Sequence, residues 1–274
     1  LLMKVGISYV SEEQARINLE KELAHWNFDR VKEDAFAEWN RELGKITVEG
    51  GSEEEKIKFY TDLWHSLLGR HTFSDFNGKY IDNTGEEPVV RQVPLDNGTP
   101  TRNTYNSDAF WGSEFNLNIL WSIAYPKVMS EFVSTLVDYY TNGGMIARGP
   151  SGGNYTYVMV GDQATPLIAA AYNKGIRDFD IESAYQGCLK NSEPGGIRDY
   201  VGYKTNPGNF MQQYVDKGFV PEPTTKSPHA EGCAMTLYFA YEDWCMAQFA
   251  KGLEKEDVYR KYLQRSFNYR YVYD

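Results

Sequence analysis

Three stretches of this chain hold the side chains of acid–base chemistry beside flat rings. The first is Asp108-Ala109-Phe110-Trp111-Gly112-Ser113-Glu114, where two carboxylates flank a tryptophan in a segment without helical periodicity. The second is His229-Ala230-Glu231-Gly232, just ahead of a long apolar run. The third lies inside that run, Thr236-Leu237-Tyr238-Phe239-Ala240-Tyr241-Glu242-Asp243-Trp244. At helical spacing Tyr238 and Glu242 share a face, about 5–6 Å apart at Cβ, and Asp243 is turned from Glu242 by about 100°. Carboxylates, an aromatic platform and a histidine are the parts of a glycoside-processing site. One acid protonates the leaving oxygen, one base activates water, and a ring packs against the sugar. Glu242-Asp243 fits equally a polar helix face or a buried pair with Arg or Lys.

Other motifs carry less. Arg148-Gly149-Pro150-Ser151-Gly152-Gly153-Asn154 matches neither a dinucleotide nor a P-loop pattern, and Pro150 removes a donor from any phosphate cradle; a turn is expected. Arg148 is the obvious cation of the loops. Asp75-Phe76-Asn77-Gly78-Lys79-Tyr80 lacks the third acidic position and distant Glu of a calcium loop and reads as an Asn-Gly hairpin turn. The three cysteines and four histidines have no zinc spacing, so buried structural thiols are expected.

The elements that must position these groups are mostly helices. Ser11-x-x-Gln14 and Ser52-x-x-Glu55 are capping boxes ahead of amphipathic runs. Apolar stripes at Val31, Ala35, Trp39 and Leu43, and at Ile57, Tyr60, Trp64, Leu67 and Leu68, mark core faces. Further helices are expected near 126–141, 162–174, 180–190, 209–217 and 234–252, with one from about 256. Gly143-Gly144, Gly175 and Gly218 serve as stops. That makes roughly nine helices and little strand. Long loops at 71–118, 145–161 and 219–233 hold most of the polar and aromatic residues, as functional loops do. A helical barrel with its site at one mouth follows.

Composition narrows the partner. Lys+Arg 28 against Asp+Glu 38 gives a net charge of −10, the wrong sign for a nucleic-acid backbone. No apolar run reaches membrane-spanning length. Aromatics reach 15%, with 21 Tyr, 14 Phe and 6 Trp. Trp39, Tyr60, Trp64, Tyr139 and Trp244 fall on stripes read as core. Phe76, Tyr80, Tyr105, Trp111 and Tyr155 fall in the loops, where rings can stack on sugars. Residues 1–10, Leu1 to Val10, read as a strand-like linker without a signal peptide's order, and both ends of the chain read as cut.

Together with Phe59-Tyr60-Thr61-Asp62-Leu63-Trp64-His65, Ser74 to Tyr80, Tyr241 to Gln248 and Arg265-Ser266-Phe267-Asn268-Tyr269, these stretches resemble glycoside hydrolase family 92. Its members are calcium-dependent exo-α-mannosidases abundant in gut Bacteroidetes. The resemblance implies an (α/α)6 helical barrel or toroid, of which 11–274 form the N-terminal part. It makes 1–10 a linker strand from an upstream β-sandwich domain. It also implies a secreted, periplasmic or cell-surface location and inverting hydrolysis of mannose-containing oligosaccharides, of N-glycan or mannan type, with calcium. Glu serves as acid and Asp as base; the base and main calcium ligands are expected beyond Asp274, so no metal ligand is assigned here.

Two departures from the family stand out. Its long helix reads Thr-Leu-Glu-Tyr, the Glu being the acid, and here Tyr238 occupies that place. Many members read Trp-Asp-Thr followed by Arg, where this chain has Trp111-Gly112-Ser113-Glu114. A phenol is a poor proton donor at neutral pH, so Glu231 and Glu242 are candidate substitute acids. Asp108, Trp111, Glu114, Arg148 and His229 are the candidate sugar-binding residues. Three readings stay open: an active mannosidase, a mannoside-binding relative without catalysis, and a helical-barrel polysaccharide lyase using Tyr238 with His229.

Overall fold

The architecture follows from where helices can start, stop and bury a face. The computed structural model describes residues 1–107, 110–202, 208–222 and 231–273. Three helices open the chain: α1 (Glu12–Glu22), α2 (Phe28–Leu43) and α3 (Glu53–Leu67). Ser52 closes a full capping box with Glu55 at the start of α3. Ser11 makes only half of one, accepting from the Gln14 N–H at 3.1 Å, because the Gln14 side chain accepts instead from Asn77.

Residues 71–106 form three small antiparallel pairs. They are β1 (His71–Thr72) with β6 (Tyr105–Asn106), β2 (Lys79–Asp82) with β3 (Val89–Gln92), and β4 (Leu95–Asp96) with β5 (Thr99–Pro100). The hairpin expected at Asn77-Gly78 is a turn leading into β2, where the Gly78 N–H donates to the Asp75 carbonyl. An Asn-Gly hairpin sits at Asn97-Gly98 between β4 and β5 instead. Both residues there have positive φ, 48° and 81°, as a two-residue turn of matching twist requires.

The remaining helices build the core: α4 (Leu117–Ala124), α5 (Pro126–Gly143), α6 (Ala164–Asn173), α7 (Ile181–Asn191), α8 (Phe210–Lys217), α9 (Gly232–Gly252) and α10 (Glu256–Ser266). Pro126 opens α5 and Gly144, at φ 87°, closes it. Between them Met129, Phe132, Val133 and Leu136 are fully buried, each contributing roughly 1.5–3 kcal/mol of apolar burial. α9 packs against α6 and α10 and is buried around much of its circumference. Its polar members Thr236, Glu242 and Asp243 therefore need partners inside the protein.

The mainly helical fold agrees with the periodicity, with three differences. Residues 1–10 join no ladder among the described residues. They lie over α1, held by Lys4 Nζ donating to the Leu23 carbonyl and Asn18 Nδ2 donating to that of Ile7. Trp39, Trp64 and Trp244, read as core, are 37%, 36% and 48% exposed. Their stripes are real, but they are only partly covered: Trp39 and Trp64 pack edge-on against each other, ring centroids 6.1 Å apart; Tyr139 is buried as expected. Of the thiols, Cys188 and Cys245 are buried while Cys233 is exposed. No helix of the described residues is long and apolar enough to cross a membrane.

Candidate functional site

The first turns of α9 meet the loop ahead of α4. Gly112, at φ 82°, turns the chain into a single 3-10 turn, Ser113–Phe115. That conformation suits a residue without Cβ. Trp111 then faces Tyr238, ring centroids 5.8 Å apart and planes 40° apart. Trp111 is 40% exposed and Tyr238 half-buried, so the pair forms an aromatic wall open on one side. Burial, with the charges of Glu114 and Glu242, pushes the Tyr238 hydroxyl up to about 12; it holds its proton. Glu114 stands beside this wall, half-buried, with Oε2 enclosed and without a hydrogen-bond partner. Burial holds its carboxyl above the usual range, while the N–H groups of Glu114 itself and Gly112 pull the other way.

Behind the wall is a buried charge cluster. Arg198, on the short 3-10 turn Ile197–Asp199, is fully buried. Its Nε lies 3.0 Å from Glu242 Oε2 and 4.0 Å from Asp162 Oδ2, and Nη1 donates to Asp243 Oδ1 at 2.7 Å. Nη2 donates to Ser192 Oγ at 2.9 Å. Asp243 also receives a two-pronged contact from Arg265, Nε to Oδ2 at 2.6 Å and Nη2 to Oδ1 at 2.7 Å. The Tyr214 hydroxyl adds a donor at 3.1 Å. Asp162 is held by Thr165 and Asn191, and its N–H donates to Glu242 Oε1. Such an arrangement fixes the geometry of α9 more than it adds stability, since desolvating the charges consumes most of the Coulomb gain.

Trp111, Glu114 and Tyr238 come together, and Glu242 lies behind them, its carboxylate committed to Arg198 and the Asp162 N–H. The buried-pair reading of Glu242-Asp243 is the arrangement found. Glu231 is exposed at the N-cap of α9, seven residues from Tyr238 and thus roughly 10 Å along the axis. Arg148 is 2% exposed. Its guanidinium donates to the carbonyls of Gly161, at 2.9 Å, and Tyr200, so it shapes the wall's support. Asp108 and His229 lie outside the described residues. Asp162, Arg198 and Arg265 were not singled out by sequence; their only signal is that two adjacent carboxylates in an apolar helix demand cations.

The cluster has a pH signature. Burial raises the Glu242 carboxyl to about 8; Arg198 opposes this, while the charges of Asp162 and Asp243 add to it. For Arg198, burial works against the charge, but Glu242, Asp243 and Asp162 outweigh it and hold the guanidinium above its usual range. The cation therefore stays charged, and surplus negative charge is relieved by a proton on Glu242. The native state keeps that proton between the ordinary carboxylate range and about pH 8, whereas the unfolded chain releases it, so stability falls as pH rises through this window. Glu242→Gln, mimicking the protonated form, is expected to flatten the fall by on the order of 2 kcal/mol. Thermal unfolding of both proteins at pH 5 and pH 8 reads it; parallel slopes contradict it.

Residues 14–274 match the family model of the glycosyl hydrolase family 92 catalytic domain. Among solved structures, an inverting family GH92 mannosidase of Bacteroides thetaiotaomicron superposes with TM-score 0.83 at 28% identity, covering 97% of this chain and 34% of that one. A family GH92 α-mannosidase of the same organism gives 0.81 at 27%, covering 97% and 33%. Among curated proteins, an uncharacterized secreted glycosidase of Arthroderma benhamiae is 25% identical over 98% of this chain and 30% of its own length. The chain spans about a third of the length of these relatives.

Proposed function

Because the chain belongs to glycosyl hydrolase family 92, we propose that it is part of an inverting exo-α-mannosidase acting on mannose-containing oligosaccharides. The observation that supports this most is the Trp111–Tyr238 wall with Glu114 at its side. A flat apolar face can pack against a sugar ring, and the Glu114 carboxyl is near enough for its charge to act on the Tyr238 hydroxyl. In this reading the described helices are the first part of an (α/α)6 toroid, preceded by a β-sandwich domain, in a secreted, periplasmic or cell-surface protein. Secretion is supported by the fungal relative's description.

Hydrolysis with inversion needs water to attack C1 from the face opposite the departing oxygen, one carboxylate taking the water's proton and one acid protonating the leaving group. Trp111 would hold the sugar ring, and Arg198 with Asp243 and Glu242 would fix the helix that carries Tyr238. The base would come from outside residues 1–274. Calcium, which the family resemblance implies, does not fit the carboxylates present. Asp243 and Glu242 already face Arg198 and Arg265 and Asp162 lies 4.0 Å from Arg198, and among the described residues no group of three His, Cys, Asp or Glu side chains could hold a metal. Its ligands are proposed to lie elsewhere in the complete protein.

The second reading, a mannoside-binding relative without catalysis, is favoured by one observation. Tyr238 stands at the family's acid position with its hydroxyl pushed up to about 12, too weak an acid to donate at neutral pH. The lyase reading loses support because Arg148 is spent on two backbone carbonyls. The full-length protein is expected to hydrolyse α-linked mannobioses, releasing mannose first as the β-anomer by NMR, and to lose turnover with chelator. Binding of mannobiose without hydrolysis would decide for the second reading.

A further inference from the structure

Tyr238 leaves the wall without a usable proton donor, yet an acid sits beside it. One feature separates Glu114 from the other carboxyls near α9, and two more place it at the wall. Asp243 and Glu242 are committed to arginines, whereas Glu114 forms no ion pair among the described residues. Its Oε2 is enclosed and lacks any hydrogen-bond partner, so a polar atom is held ready for a group the protein does not supply. It also lies close enough to Tyr238 for its charge, like that of Glu242, to act on that hydroxyl, three residues from Trp111 on the same short turn.

We propose that Glu114 is the general acid of this protein, donating its proton to the oxygen that leaves as the glycosidic bond breaks. The proposal rests on the mannosidase reading. In the step, the C1–O bond to the aglycone breaks and the aglycone oxygen takes the Glu114 proton. Water forms the new C1–O bond and gives its proton to the base, and Glu114 is reprotonated from solvent. An enclosed carboxyl without a neighbouring cation is kept neutral by desolvation, consistent with the upward displacement at Glu114, and a neutral carboxyl is what a donor must be before the step. Tyr238 would then serve as packing surface, keeping water from that side of Glu114.

The test compares Glu114→Gln with wild type, in the full-length protein, on two aglycones. One is a methyl α-mannoside, whose leaving oxygen needs a proton; the other is a 2,4-dinitrophenyl α-mannoside, which departs without one. Glu114→Gln is expected to lower kcat/KM for the methyl mannoside by about 10²–10⁴-fold, to change that for the dinitrophenyl mannoside by only a few-fold, and to remove the alkaline limb of the pH profile. The retained dinitrophenyl activity shows that the variant is folded. An equal fall on both substrates, or no fall on either, overturns the assignment while leaving the mannosidase reading intact. If Tyr238→Phe loses methyl mannoside turnover while Glu114→Gln keeps it, the proton belongs to Tyr238. Wild type inactive on both substrates overturns the mannosidase reading and the assignment with it.

Discussion

Arg198→Met is expected to destabilise the full-length protein by about 3–5 kcal/mol, much of the 5–15 kcal/mol typical of a domain. Methionine replaces most of the aliphatic stem but none of the charge. Asp162, Glu242 and Asp243 would remain buried around it; Asp243 would keep Arg265, and Glu242 would lose its direct contact with a cation. Protonating the stranded carboxylates offsets part of the cost, so the loss should grow with pH. Arg198→Lys keeps a positive charge but cannot meet Asp243, Glu242 and Ser192 together, because an ammonium lacks the planar fork; it should fall between. Urea unfolding at pH 7 measures both variants. An Arg198→Met protein within 1 kcal/mol of wild type would mean the cluster is looser and wetter than its geometry implies.

Why this cluster escaped the sequence is a matter of separation. Arg198 and Asp243 lie 45 residues apart, and Asp162 and Glu242 lie 80 apart; contacts of that range have no period to detect. Arg198 itself sits in Gly196-Ile197-Arg198-Asp199, a turn too short to show a face. Helices were legible because their signals are local. The Ser52 box, Pro126, Gly144, Gly175 and Gly218 mark boundaries whatever the helices pack against. α4 was missed because it is only eight residues long, follows a stretch rich in loop-forming residues, and has its contrast inverted, with Asn118 and Ser122 buried while Ile119 and Ile123 are exposed. Trp39, Trp64 and Trp244 show the converse limit: periodicity tells which residues share a face, not how deeply that face is covered.

The site was half legible for the same reason. Trp111, Glu114 and Tyr238 could each be named from residue type and from the family resemblance. That Glu114 forms no ion pair among the described residues while Glu242 faces Arg198 depends on packing between segments more than 120 positions apart in the chain. Arg148 shows how position misleads. A cation in a long loop reads as a ligand contact, but its side chain turns inward to two carbonyls that would otherwise lack donors.

Gly161→Ala carries the other large expected effect, because one methyl group would act on both backbone and cluster. Gly161 has φ 80°, where a Cβ costs roughly 1–2 kcal/mol. An added Cβ there would also collide with Glu242 Oε1 and press to 3.3 Å from Gln163 Nε2. Glu242 cannot give way cheaply, since the same oxygen accepts the Asp162 N–H and its partner oxygen faces Arg198. The Gly161 carbonyl holds Arg148, so a shift of the turn would disturb a second buried cation. A loss of about 2–4 kcal/mol follows, summing the backbone strain and the displaced contacts. Gly175→Ala is the internal control: φ is 85°, yet nothing lies within 4 Å of its added Cβ, so only the backbone term of about 1 kcal/mol applies. Denaturant unfolding of the two variants separates the terms. Equal losses would show that Glu242 moves freely; a larger loss at Gly161 would show that the cluster holds it rigidly. Because Tyr238 lies one helical turn before Glu242, the same rigidity is what keeps the aromatic wall in register with Trp111.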